Sequence, residues 1–365
     1  MSPEFAPLSA TMLVGADHVL GFHHIEQYVG NADQAARFYS STFGLPLSEG
    51  SSPDTARDVT SVVITLGDVE MILSAAVKSG PVADHVHAHG DGIKDLALSV
   101  SDLESAFERA VKAGATPLEE PREVTHGTRR MRRATVGTLC DLVHSLIEVN
   151  VSDAGRAVPT DSGAGKSGIL TVDHLALAVE QGTLAAWRAF YESAFAFTVT
   201  HEETTATQRS AMRSVVLQNA IGTVKLTILE PAEGPRRSQI QDFLTHHNGA
   251  GVQHLALRCG DIVRSVAEFR ARGLEFLNVP DSYYEMLPGR IGARVPAIRE
   301  LQHAHVLLDR DEWGELLQTF SKPVTGRPTM FIELVERNGA KGFGSGNIRA
   351  LFEAMEREQS AQTGW

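Results

Sequence analysis

Cysteine is scarce in this chain. Cys140 and Cys259 are the two that occur in 365 residues, too few for a disulfide framework, and nothing pairs them in a metal-binding spacing. Such usage fits a reducing, cytoplasmic setting. Long apolar runs are also missing, since no stretch approaches the ~20 residues that a membrane helix needs. With 33 Lys and Arg against 45 Asp and Glu the formal net charge is −12. That acidic balance argues against a phosphate backbone, and so against nucleic acid, as a partner. Residues 1 to 20 lack a basic region followed by an apolar core, so they do not read as a secretion signal but as a loose leader. What is present is 42% hydrophobic residues, enough to build ordinary cores in one large domain or two.

The chain is written twice. FHHIEQYVGNADQAARFYSSTFG, from residue 22, matches VDHLALAVEQGTLAAWRAFYESAFAF, from residue 172; each is a strand followed by an amphipathic helix. HGDGIKDLALSVSDLESAFERAVKAGATPL, from 89, matches NGAGVQHLALRCGDIVRSVAEFRARGLEFL, from 248. Between them lie short alternating runs, SVVITLG and EMILSAA in the first half and SVVLQNA and TVKLTILEP in the second, that read as strands. Each half is therefore strand-helix-strand-strand-strand, twice over. The Gly-, Ser- and Asp-rich stretch 151–168 reads as a linker, which divides the chain into a domain over 21–150 and a second over 169–365.

Three side chains able to bind a metal sit in the second half inside β-branched apolar runs: His174 in VDHLALAV, His254 in GVQHLALR and Glu333 in TMFIELVER. Buried polar groups at such places need compensation. Two imidazoles and one carboxylate, without a thiolate, suit non-haem Fe(II) and leave positions open for substrate and oxygen. In the first half His24 stands where His174 does, Asp95 where His254 does, and Ser145 roughly where Glu333 does. That half keeps one good ligand of three, so it is expected to carry no metal and to support the structure and the interface.

The motifs GVQHLAL, LLQ-F-KP, RPT-FIE and GFG-GN together resemble the 4-hydroxyphenylpyruvate dioxygenase family, which includes hydroxymandelate synthase, over about residues 22 to 360. The resemblance implies an α+β, vicinal-oxygen-chelate fold with two open eight-stranded barrels built from paired βαβββ modules, and Fe(II) in the C-terminal one. It also implies an aromatic α-keto acid and O₂ as partners, the acid reducing oxygen by losing its own carboxylate, and a homo-oligomer, dimer or tetramer. Carried over residue by residue, it implies substrate contacts from Ser214, Gln239, Gln253, Gln318, Phe320, Phe331, Phe343, Asn347 and Leu351. The segment GNIRALFEAMEREQ, with Ile348, Leu351, Phe352 and Met355 at helical spacing after Gly342, Gly344 and Gly346, is expected to close over the site as a gate.

The chain departs from the pattern of homogentisate-forming members. Where those read Pro-x-Asn-Glu-Pro, this chain has Thr227, Ile228, Leu229, Glu230 and Pro231; where those read Gly-Asn-Phe, it has Ile348 after Asn347. These changes resemble hydroxymandelate synthase, and the expected product is 4-hydroxymandelate, with homogentisate as the alternative. The KPV-x-x-RPT segment looks closer to the homogentisate formers. Two other classes compete: a ring-cleaving extradiol dioxygenase, opposed by the LLQ-F and GFG-GN elements, and a non-catalytic ligand-sequestering module, which predicts little bound iron and no oxygen uptake.

Several features read as incidental. His85, His87 and His89 include an i, i+4 pair, yet a polar turn entering the next strand is the simpler account. GAGKS at 163–167 lacks the first glycine of a phosphate loop. His246 and His247 read as solvated, the charges of EAMEREQ as an exposed helix face, and Tyr283 and Tyr284 as packing.

Overall fold

In the computed structural model the described residues are 19–48, 58–126, 129–149, 168–206, 211–234, 237–292 and 297–351. Nearly all of the leader, nearly all of the linker, GAGKS and EAMEREQ lie outside them. Strands β1 (Val19–Tyr28), β2 (Leu47–Ser48), β3 (Val59–Leu66), β4 (Val69–Ala76), β5 (Gly92–Val100), β6 (Thr116–His126), β7 (Arg129–Gly137) and β8 (Val143–Glu148) form one sheet. Its order is β2-β3-β4-β1-β5-β8-β7-β6. Strands β9 (Ile169–Ala178), β10 (Thr198–Ala206), β11 (Ala211–Gln218), β12 (Lys225–Ala232), β13 (Gly251–Cys259), β14 (Leu307–Arg310), β15 (Glu315–Phe320) and β16 (Phe331–Asn338) form the other. They follow the same order, β10-β11-β12-β9-β13-β16-β15-β14. The paired βαβββ modules expected from the repeat are thus realised twice.

Period-two alternation decides which residues face where. In HLALA of β9, Leu175 and Leu177 turn to the helix-covered side and join the main core, as do Leu255 and Leu257 of β13. His174, Ala176 and Ala178 turn the other way, into the hollow of the sheet. The core runs continuously between the halves: Phe43 meets Phe269 edge-on with ring centroids 5.1 Å apart, and buried His144 lies 3.1 Å from the Tyr191 hydroxyl. Arg109 donates to the Ala194 carbonyl at 2.9 Å.

Register shows how faithful the duplication is. His174 stands opposite Ala256 and Ala256 opposite Glu333, so one alanine on β13 separates the histidine of β9 from the glutamate of β16, with His254 two residues back on the same face. In the first half His24 stands opposite Ala97, and Asp95 opposite Val143, which puts Ser145 where Glu333 lies. There Asp95 accepts hydrogen bonds from the Ser145 amide at 2.9 Å and hydroxyl at 2.5 Å. The first-half counterpart is closed by its own hydrogen bonds.

Beside it Glu26 is raised to about 7, chiefly by burial, against hydrogen bonding from Ser74 and with Asp95 adding to the rise. The native state therefore keeps a proton that the unfolded chain has released once pH exceeds its ordinary value of 4.5. Stability from this group is complete below that pH and falls as pH climbs toward 7. Glu26→Gln is expected to flatten that slope, gaining on the order of 2 kcal/mol at pH 8 after allowing for partial access to water. Urea midpoints at pH 5 and pH 8 check it.

Candidate active site

His174, His254 and Glu333 converge on one point in the hollow of the second sheet. Both Nε2 atoms lie 3.3 Å from the same Glu333 carboxylate oxygen, and the three groups offer ligand atoms all within 4.8 Å of one another. All three are buried. Burial alone would raise the Glu333 carboxyl, but His174 and His254 overcome it and bring it to about 2. Burial pushes His174 down, yet Glu333 and Asp173 lift it to about 9. His254 is lowered, by burial.

The imidazoles are aimed from behind. His174 Nδ1 lies 2.9 Å from Asp173 Oδ1, and His254 Nδ1 lies 3.4 Å from Gln253 Oε1, leaving each Nε2 turned to the centre. Asp173 is itself clamped by Arg337 through two parallel hydrogen bonds of 2.7 and 2.8 Å. Glu333 accepts from Gln318 Nε2 at 2.8 Å. Phe331 stacks on His254 with centroids 4.9 Å apart, and Phe343 meets His174 edge-on at 5.3 Å. A buried nitrogen-nitrogen-oxygen donor set with its outer hydrogen bonds already made fits a divalent metal and could hold one.

A cavity of about 1260 Å³ opens over these groups. β11 and β12 supply Ser214, Thr227 and Leu229, the helix Gln239–His247 supplies Gln239, and β13 supplies Gln253. Gln318, Phe320 and Phe331 come from β15 and β16, and Phe343, Ile348 and Leu351 from the C-terminal segment. The Thr227 hydroxyl is buried and without a protein partner among the described residues. Ser238 caps the helix that starts at Gln239, in a reciprocal box with Gln241, which fixes where Gln239 enters.

Asn347 differs from expectation. It is fully buried and stands behind the wall, donating to Gln318 Oε1 at 2.9 Å and accepting from the Tyr283 hydroxyl at 2.7 Å. Tyr283, read as packing, thus positions an amide that positions Gln318. The glycine-rich segment is anchored: Gly342 and Gly346 amides donate to Asp311 and Asp309 at 2.8 and 3.0 Å. At Gly344, with φ +73°, a Cβ would fall 1.8 Å from Gln318 Oε1, so only glycine fits.

The sequence reading missed several cavity residues. His201, Glu203 and Thr205 alternate along β10 and line the cavity, a period-two signal visible in TVTHEETTA. His201 Nε2 reaches the Ser345 hydroxyl at 2.8 Å, tying β10 to the C-terminal segment. Asp173 and Arg337 were legible only as an acid beside one candidate ligand and a base four residues past another.

The chain matches the Glyoxalase/Bleomycin resistance protein/Dioxygenase superfamily over residues 21–139 and 171–287. It is 35% identical to the 4-hydroxyphenylpyruvate dioxygenase of Yarrowia lipolytica, over 99% of this chain and 97% of that one. It is 36% identical to the protein of the same name from Danio rerio, over 94% and 91%. A solved triple mutant of 4-hydroxymandelate synthase from Streptomyces coelicolor superposes with a TM-score of 0.81 at 35% identity, covering 94% of this chain and all of that one. With the duplicated eight-stranded sheets and the His-His-Glu cluster in the second, these likenesses mean that the chain belongs to the 4-hydroxyphenylpyruvate dioxygenase family of that superfamily.

Proposed function

We propose that this chain binds Fe(II) through His174, His254 and Glu333 and converts 4-hydroxyphenylpyruvate and O₂ into 4-hydroxymandelate and CO₂. Ferrous iron held by these three side chains would supply open positions for the keto acid and for oxygen, and the electrons that begin oxygen reduction. The protein does the rest. Phe331 and Phe343 hold the imidazoles in place and, with Phe320, keep the reacting end of the cavity apolar and poor in water. Gln239, Gln253, Ser214 and the unpartnered Thr227 hydroxyl give the substrate's polar ends hydrogen-bonding partners. Ile348 and Leu351 close one side as the inner face of the gate.

The observation that carries the choice of product is that Leu229, Thr227 and Ile348 all face the cavity, so each departure from the homogentisate-forming pattern lies where it can touch substrate. Leucine offers no amide to hold the ring for attack on its side-chain-bearing carbon, and isoleucine leaves a differently shaped wall. The benzylic carbon is then the one presented to oxygen. About 1.4 kcal/mol of barrier difference changes a product ratio tenfold, which is within the reach of one hydrogen bond. The relatives named as 4-hydroxyphenylpyruvate dioxygenases favour homogentisate as the second reading.

Incubating iron-loaded protein with 4-hydroxyphenylpyruvate and identifying the product tests the choice. 4-Hydroxymandelate is expected; homogentisate as the main product overturns it. The double variant Leu229→Asn, Ile348→Phe is expected to move the product ratio toward homogentisate by about tenfold or more, measured by chromatography of the same reaction.

A further inference from the structure

Features that read as incidental in the sequence are fixed by distant contacts. The segment expected to be a polar turn is instead the helix Pro81–His89, with His85 buried inside it. His247, expected to be solvated, is also buried, at the end of the helix Gln239–His247. Tyr283, on the helix Asp281–Ile291, leads furthest, because its hydroxyl belongs to a line of polar groups that ends on Glu333. Arg290, about two turns along the same helix, heads that line.

Arg290 Nη2 lies 2.6 Å from the Leu308 carbonyl, 2.8 Å from the Tyr283 hydroxyl and 3.0 Å from Asn347 Oδ1. A guanidinium only donates, having no lone pair to accept with, so the oxygen of the Asn347 amide has to face it. The Tyr283 hydroxyl accepts from the Leu308 amide at 2.9 Å and gives its own proton to the same Oδ1 at 2.7 Å. Asn347 Nδ2 then points the other way and donates to Gln318 Oε1 at 2.9 Å. That leaves Gln318 only its Nε2 for Glu333 Oε1, at 2.8 Å, and for the Phe343 carbonyl, at 3.4 Å. Every link points the same way, from a cation to a carboxylate. Neither amide can turn over without setting donor against donor and acceptor against acceptor. Tyr283, Asn347, Gln318 and Glu333 are all buried, where a mispaired polar group is costly. The glycines clear the way: a Cβ on Gly344 would strike Gln318, and one on Gly346 would strike Asp309 and Arg290.

We infer that Arg290 and Tyr283 are positioning residues for the metal centre: through Asn347 and Gln318 they fix which way two buried amides point, so that Glu333 Oε1 always meets a donor. The other oxygen, Oε2, is then the one left for the ion, and it is the atom that lies 3.3 Å from Nε2 of both His174 and His254. Aligned bonds in a low-dielectric interior polarise one another, so a side chain four links away acts on the ligand without touching it. The inference rests on the reading that the triad holds a metal.

The test titrates Co²⁺, standing in for iron, into the metal-free full chain, followed by calorimetry and visible absorption. Asn347→Asp keeps the size of the side chain and an acceptor for Arg290 and Tyr283, but it reverses the line. Its second oxygen meets Gln318, which has to turn Nε2 toward it and present Oε1 to Glu333. Co²⁺ affinity is expected to fall by about tenfold or more, although the added negative charge by itself attracts a cation. Arg290→Met, which frees Asn347 to turn over, should weaken Co²⁺ binding by a smaller factor, and Arg290→Lys, which restores a charged donor, should recover most of it. Melting of each metal-free variant separates folding from binding. A merely structural role lowers the midpoint of Arg290→Met and leaves Asn347→Asp, with its ion pair to Arg290, binding Co²⁺ as the wild type does; that result overturns the inference. So does equal Co²⁺ affinity in Arg290→Met and Arg290→Lys, which decides the matter even where Asn347→Asp does not fold. Wild-type protein that takes up no Co²⁺ overturns the metal reading itself, and the inference with it.

Discussion

Glu333→Gln is expected to strip this protein of tightly held iron and of coupled oxygen consumption, by more than about 100-fold, beyond what losing an outer hydrogen-bond partner does. The amide keeps the size of the carboxylate but not its charge. Glu333 is the group whose carboxylate oxygen lies 3.3 Å from both imidazoles, and together with Asp173 it lifts His174 to about 9. In the variant Asp173 still holds His174 from behind, so the two rings remain, at a site that has lost its one anionic donor. Iron content after dialysis and oxygen uptake with 4-hydroxyphenylpyruvate measure the effect. Near-normal activity would mean that the carboxylate is misassigned.

Asp173→Ala is expected to damage the same site from one step further out and the fold besides. Metal affinity should fall by about 10- to 100-fold, because His174 loses the acceptor that orients it. Stability should fall by about 3–5 kcal/mol, because Arg337 is left as a buried charge without its partner. Arg337 retains the carbonyls of Ala340 and Gly342 and its place over the Phe343 ring, which moderates the loss. Asp173→Ala with Arg337→Met separates the two effects: stability should largely return while metal affinity stays low. If affinity recovers as well, Asp173 acts only through folding. Denaturation curves and metal-binding isotherms on the single and double variants decide this.

Much of this was legible in the chain itself because it rests on local periodicity. HLALA and HLAL alternate so that histidines and alanines share one face and leucines the other, and the repeat aligns His24 with His174 without any coordinates. The triad follows from three polar residues in strands that otherwise bury apolar groups. What was not legible depends on contacts between distant segments. His247 looks like a solvated helix end until the helix Pro81–His89, more than a hundred residues earlier, is laid against it. Asn347 carries a family motif, and nothing in its neighbourhood tells that Tyr283 and Gln318 surround it. The glycines around it look loose, but Asp309 and Asp311, from a different strand and turn, tether them.

The single-alanine spacing across three neighbouring strands has a consequence for how such a centre arises. Because the first sheet preserves the same row, with His24 across from Ala97 and the Asp95–Ser145 pair beyond, it is a second copy of that arrangement. In residue type at those positions, Asp95→His and Ser145→Glu are the whole difference between the two. The scaffold occurs twice, and the His-His-Glu set stands on one copy of it.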